Sequence, residues 1–178
     1  MNDSGRVARF DAAGDRVLEP LRNNRVLSAL FGAASTIGDF SIVWHIIGFV
    51  RAIGSADRLR EAVYLSCALG VESLVVNQGV KRIFRRERPT ASGDERFDIR
   101  TPSTSSFPSG HASSATCAAF LLVHFMGMPA GVLIVVLALV VALSRVVVRI
   151  HHLSDIVGGV VVGALLGAVA VAITGSVL

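Results

Sequence analysis

The sequence predicts an all-α protein: a polytopic membrane helix bundle of about five transmembrane helices, preceded by an N-terminal amphipathic surface helix. Three observations carry this. Only 17% of the 178 residues are charged and 52% are hydrophobic, where a soluble domain carries about 25% charged residues. The mean hydropathy is +0.63. The charge deficit is uneven, because long apolar runs alternate with short basic clusters.

Residues 6–22 place Val7, Phe10, Val17, Leu18 and Leu21 at helical spacing with Arg and Asp between them. This is the pattern of a helix lying on a membrane surface; a short solvated helix packed on the bundle is the alternative. Five spans follow, over about residues 26–50, 61–84, 109–126, 129–148 and 154–177. Each is long enough to cross a hydrocarbon core of ~30 Å at ~1.5 Å per residue. The short turn Gly127-Met128-Pro129 makes the third and fourth spans an antiparallel hairpin. The long connection Arg85–Phe107 is rich in charge, Ser, Thr and Pro, and is expected outside the bilayer. Length implies one domain, residues 1–178. Residues 1–25 are charged throughout, so no secretory signal is expected. Cys67 and Cys117 sit in apolar runs and read as buried free thiols. In the last span Gly159, Gly163 and Gly167 form a small-residue ladder. It suits close packing within the chain, with a homodimer seam as the alternative.

Three polar clusters carry the chemistry. In the first, Lys81 ends a helix and Arg88 follows in the loop, where Pro89 holds it extended. A point charge and a planar fork together suit a phosphate; Arg82, Arg85 and Arg86 read as membrane anchors. In the second, Pro108-Ser109-Gly110-His111 opens a helix, whose unpaired N–H groups favour anions. Gly110 permits close backbone approach, and His111 is placed to act as a general acid. In the third, Arg145 lies near the end of an apolar span, a costly place for a charge without a partner or a task. His151 and Asp155 are four apart, so in one helical turn Asp155 accepts the His151 N–H and leaves the other ring nitrogen as nucleophile. A bundle of this topology brings all three clusters to one membrane face.

These clusters resemble the type 2 phosphatidic acid phosphatase family, membrane relatives of the vanadium haloperoxidases and bacterial acid phosphatases. The family pattern is Lys, six residues, Arg-Pro; then Pro-Ser-Gly-His; then Ser-Arg, five residues, His, three residues, Asp. Lys81 to Arg88-Pro89, Pro108 to His111, and Ser144-Arg145 to His151 and Asp155 fit it without a gap. The resemblance implies that Lys81, Arg88 and Arg145 hold the phosphoryl oxygens, with Ser109 and Gly110 donating to them. It implies that His151 attacks phosphorus, Asp155 orients it, and His111 protonates the leaving oxygen and then activates water. Three fixed cations stabilise the transferring group, so no metal and no cofactor is expected. Many bacterial members have six spans, and this chain shows five.

Other polar residues take lesser readings. His152 reads as a pocket wall. Asp39 and Asn77 are candidate pocket lining, and Glu72 reads as a buried interhelical hydrogen bond made by the neutral acid. His124 lies about 20 Å along its helix from His111, outside the site. The expected catalytic face carries 14 of the 17 Lys and Arg residues, which places it in the cytoplasm of a bacterial plasma membrane. Expected partners are the bilayer and a lipid phosphate: a polyprenyl phosphate or pyrophosphate, a polyprenyl-linked sugar phosphate, phosphatidylglycerol phosphate or phosphatidic acid. Little soluble surface remains for nucleic acid. A non-catalytic lipid-binding or transport protein is the main alternative, but it has no use for two histidines; nothing marks a haloperoxidase-like oxidase.

Overall fold

A computed structural model describes residues 3–89 and 104–178, and the intervening part of the long polar connection lies outside the described residues. All the regular structure among the described residues is helical. Helix α1 (Asp3–Asn23) is followed by α2 (Arg25–Ile37), a 3-10 turn (Asp39–Ser41) and α3 (Ile42–Ala52). Helix α4 (Ala56–Leu74) runs through a π segment (Val75–Val80) into the short α5 (Lys81–Ile83). Helices α6 (Gly110–Met126), α7 (Ala130–Val147) and α8 (Leu153–Val177) complete the bundle. Helices α7 and α8 are each long and apolar enough to cross a membrane, and α2 with α3 makes a third candidate as a bent pair.

The centre of the bundle is α6. It packs on α8, α7 and α4, and its face of Ala112, Ala115, Ala118, Leu121 and Leu122 is buried. The glycine ladder of α8 makes this contact. A Cβ on Gly159 would stand 2.5 Å from the Ser109 carbonyl oxygen, one on Gly163 would collide with the Ser113 carbonyl, and one on Gly167 would meet Phe120 Cβ at 2.8 Å. Backbone lies against backbone, the arrangement small residues allow. The ladder is therefore used within the chain, which corrects the homodimer seam through Gly159, Gly163 and Gly167.

The first expected span, 26–50, is not one straight helix. Its two halves bend by 64° at a break of a few residues. Phe40 and Ser41 both lie in the left-handed region, at φ 53 and φ 60, which no regular right-handed helix accommodates. Gly38 sits where α2 meets α6 and α7, and a Cβ there would stand 2.7 Å from the His111 ring and 2.8 Å from Val141. Helix α1 packs on α7 and α8, the alternative reading of residues 6–22. Its inward face is Asp11, Gly14 and Arg22, whereas Val7, Phe10 and Val17 are exposed. Arg22 ties it down by donating to the carbonyls of Val146 (2.8 Å) and Val147 (3.0 Å), at the end of α7. Cys117 is buried, but Cys67 is exposed on the protein surface, which corrects the reading of both as buried thiols.

Candidate active site

Local structure at four chain segments builds one cavity of about 430 Å³. The π segment ends α4 in a wider turn, a feature frequent at functional sites. Asn77 within it and Lys81 just after it both line the cavity. Ser109 is the N-cap of α6, its hydroxyl accepting from the Ala112 N–H at 3.4 Å, so Gly110 and His111 open the helix at the cavity wall. At the end of α7 the chain reverses through Arg149, at φ 57. The Arg145 carbonyl then accepts from the N–H groups of both Ile150 and His151, each at 3.0 Å. This turn holds His151 beneath Arg145. The α2–α3 break supplies Asp39.

The structure thus brings together Lys81, Arg88, Gly110, His111, Arg145 and His151, with Asn77 and Asp39, around one space. The cations are held in different ways. Arg88 donates to the carbonyls of Thr104 (3.1 Å), Ser105 (3.2 Å) and Ile150 (3.1 Å). Its Nη1 also stands 3.2 Å from His151 Nε2. A guanidinium only donates, so this contact needs a lone pair on Nε2 and assigns the ring proton to Nδ1. Burial, with Arg88 and Arg145 nearby, pushes the His151 pKa down to about 3 even though Asp155 acts to raise it. The imidazole is neutral at physiological pH, as a nitrogen nucleophile requires. Burial also lowers the pKa of Arg88, which stays a cation all the same.

Arg145 has no exposed surface. Its Nη1 bonds to Ser35 Oγ and lies 4.0 Å from Asp39 Oδ1. Its Nε and Nη2 have no hydrogen-bond partner among the described residues. Buried donors of this kind are costly unless an acceptor meets them, and the oxygens of a fully ionised phosphate only accept. His111 Nε2 lies 3.1 Å from both the Ser35 carbonyl and Asp39 Oδ1.

Four expectations need correction. Ser109 is fully buried, and its N–H donates to the Asp155 carbonyl at 3.0 Å, so that N–H is not free for a phosphate oxygen. His152 is the N-cap residue of α8, its backbone N–H donating to Asp155 Oδ2 at 2.9 Å, and it is a cap rather than a cavity wall. His151 precedes that cap, so His151 and Asp155 do not share a helical turn. Asp155 Oδ2 stands 3.4 Å from His151 Nδ1, and Nδ1 makes no aligned hydrogen bond among the described residues; the contact is electrostatic. Arg86 is no membrane anchor, because it donates to Asp155 Oδ1 at 2.6 Å. Glu72 is buried at the cavity, but its Oε1 lacks a partner among the described residues. His124 lies far from the site, beside Thr174 at 3.3 Å.

Sequence reasoning missed the roles of Arg86, Asp11 and Ser35. Arg86 stood inside the first motif. Asp11 falls four residues after Val7 and three before Gly14, a charge at a helical spacing that faces the bundle. Ser35 carried no signal.

Fold and cavity define a membrane helix protein with a cavity lined by cations and histidines. The model of the PAP2 superfamily matches residues 61–176, and the chain belongs to that family. It is similar to the decaprenylphosphoryl-5-phosphoribose phosphatase of Mycobacterium tuberculosis, 37% identical over 135 residues, which cover 76% of this chain and 73% of that protein. The protein of the same name from Mycolicibacterium smegmatis is 39% identical over 129 residues, 71% of this chain and 68% of its own. Among solved structures, a transmembrane PAP2-type phosphatidylglycerolphosphate phosphatase from Bacillus subtilis superposes with a TM-score of 0.70 at 21% identity. That match covers 94% of this chain and 87% of the other. LpxE from Aquifex aeolicus also gives 0.70, at 19% identity, over 88% and 93% of the two chains. The two structures share the fold.

Proposed function

We propose that this chain is a membrane lipid phosphatase that works through a phosphohistidine on His151 Nε2. The observation that carries this is the buried Arg145 fork, with two unpartnered nitrogens, in the same cavity as a neutral His151. A phosphate seated among Lys81, Arg88 and Arg145 draws the Arg88 guanidinium onto its oxygens and uncovers the Nε2 lone pair. Nε2 then forms a bond to phosphorus as the bond to the lipid oxygen breaks, and His111 gives its proton to that oxygen. Water activated by His111 next attacks phosphorus, releasing phosphate and restoring His151. Asp155 balances the charge that develops on the imidazole. Lys81, Arg88 and Arg145 stabilise the equatorial oxygens, the usual source of catalysis in phosphoryl transfer.

The substrate reading follows the relatives: a polyprenyl-linked sugar phosphate is favoured by the mycobacterial proteins named as decaprenylphosphoryl-5-phosphoribose phosphatases. The bundle is read as one domain crossing the membrane five times, with α2–α3 as a bent span and α1 at the surface. The continuous helix from Ala56 to Ile83 and the 17-residue α6 supply the two crossings not identified by apolar length. The basic excess at the cavity end supports a cytoplasmic active site in a bacterial plasma membrane. A reporter fused to the C-terminus reads this directly, because a cytoplasmic C-terminus contradicts it.

The decisive assay is phosphate release from a panel of lipid phosphates in detergent with EDTA present. His151→Ala is expected to lower turnover on the order of a thousandfold or more. Retained activity in that variant removes the phosphohistidine, and loss of wild-type activity in EDTA shows a metal requirement.

A further inference from the structure

Arg86 is held between two buried carboxylates from opposite ends of the sequence. Its Nη2 donates to Asp11 Oδ2 at 2.5 Å, and its Nη1 donates to Asp155 Oδ1 and Ser154 Oγ, each at 2.6 Å. Asp11 extends the network. Its Oδ1 accepts from the Ser154 N–H at 2.8 Å and its Oδ2 from Ser154 Oγ at 2.9 Å. The side chains of Asp11 and Asp155 are 6% and 0% exposed, so both carboxylates are shielded from water, while Arg86 between them is 28% exposed. Helix α1 is seated on the same spot by Gly14, where a Cβ would stand 2.8 Å from Leu153. Asp11 lies outside residues 61–176, the segment the family model matches.

The network ends at His151. Asp155 Oδ2 is shared between the His152 N–H at 2.9 Å and His151 Nδ1 at 3.4 Å, while Oδ1 is taken by Arg86. An arginine bound to Asp155 alone would draw the carboxylate charge away from His151. A second carboxylate on the far side of the guanidinium divides that pull and fixes the plane of the fork. We propose that Asp11, acting through Arg86, is a positioning residue for His151: it holds the Asp155 carboxylate in place and leaves its charge directed at the imidazole. The proposal rests on the reading of His151 as nucleophile. It gives α1 a role in the chemical step, whereas an anchoring helix would serve stability alone.

The test uses the full chain in detergent micelles, with a lipid phosphate that the wild type hydrolyses. Asp11→Asn keeps size and one acceptor but removes the charge. Expected is a fall in kcat of roughly tenfold, the lower end of what is lost at metal sites when an outer partner of a ligating histidine is removed. KM and the inhibition constant of inorganic phosphate are expected to stay within about twofold, because the residues that hold phosphate are untouched. Arg86→Lys, which keeps the charge but not the two-way fork, is expected to show the same split and decides the matter if Asp11→Asn does not fold. An unchanged kcat overturns the proposal. So does a loss in which kcat, KM, phosphate affinity and Tm all move together, since that marks an anchor only. His151→Ala is measured alongside. If it still turns over, the nucleophile reading fails; if it is inactive while Asp11→Asn is unchanged, only the present proposal fails.

Discussion

The two ends of the bundle use the same residue types to different ends. Away from the cavity, Arg60 meets Asp57 on an exposed helix face at 2.5 Å, with side chains 63% and 82% exposed. Arg51 pairs with Glu61 and also donates to the Phe125 carbonyl at 3.0 Å. Each of these two cations has its own acid. At the cavity, Lys81, Arg88 and Arg145 share a wall with only two carboxylates, Asp39 and Glu72, among the described residues. Exposed ion pairs contribute little because water and salt screen them. Buried cations left in excess are costly, and the cost is offset when an anion arrives. The contrast teaches that the functional end is marked by an imbalance of buried charge.

That comparison can be broken most sharply at Arg145. Arg145→Ala removes the two unpartnered donors and is expected to lower kcat/KM by roughly a hundredfold to a thousandfold, the scale of losing a fixed oxyanion donor. Arg145→Lys restores charge without the fork and is expected to fall between that variant and wild type. Equal activity of the lysine variant and wild type would mean that charge alone matters. At the opposite end, Asp57→Ala should leave both kcat/KM and Tm unchanged within error. A measurable loss of turnover there would show that the two ends are coupled, and the contrast would fall.

Much of this arrangement was legible along the chain, and the reason is local. Lys81, Arg88, Gly110, His111, Arg145 and His151 stand at or near helix ends, where hydropathy changes and where the spacing to Pro89 and Pro108 is visible. Other features depended on distance. The 64° break at Asp39 replaced a span that looked continuous, because Ile37, Phe40 and Ile42 keep the hydropathy high across the bend. Ser109 and His152 were misread because capping is decided by which N–H each group faces, and motif letters do not carry that. The glycine ladder had two readings, and the approach of Gly159 and Gly163 to the α6 backbone decided between them.

The sequence by itself determined the class of fold, the family and most of the cavity's chemical groups, since apolar run length and motif spacing are properties of neighbours in the chain. Tertiary structure decided how those groups are held. Arg86 reaches Asp11 across 75 positions, Asp11 reaches Ser154 across 143, and Arg145 reaches Ser35 across 110. Such contacts follow from how the helices cross and which way each side chain points over its own turn. Periodicity within one helix contains neither quantity, which is why the roles of Arg86 and Asp11 behind Asp155, and of Ser35 beside Arg145 and His111, became visible only in the folded chain.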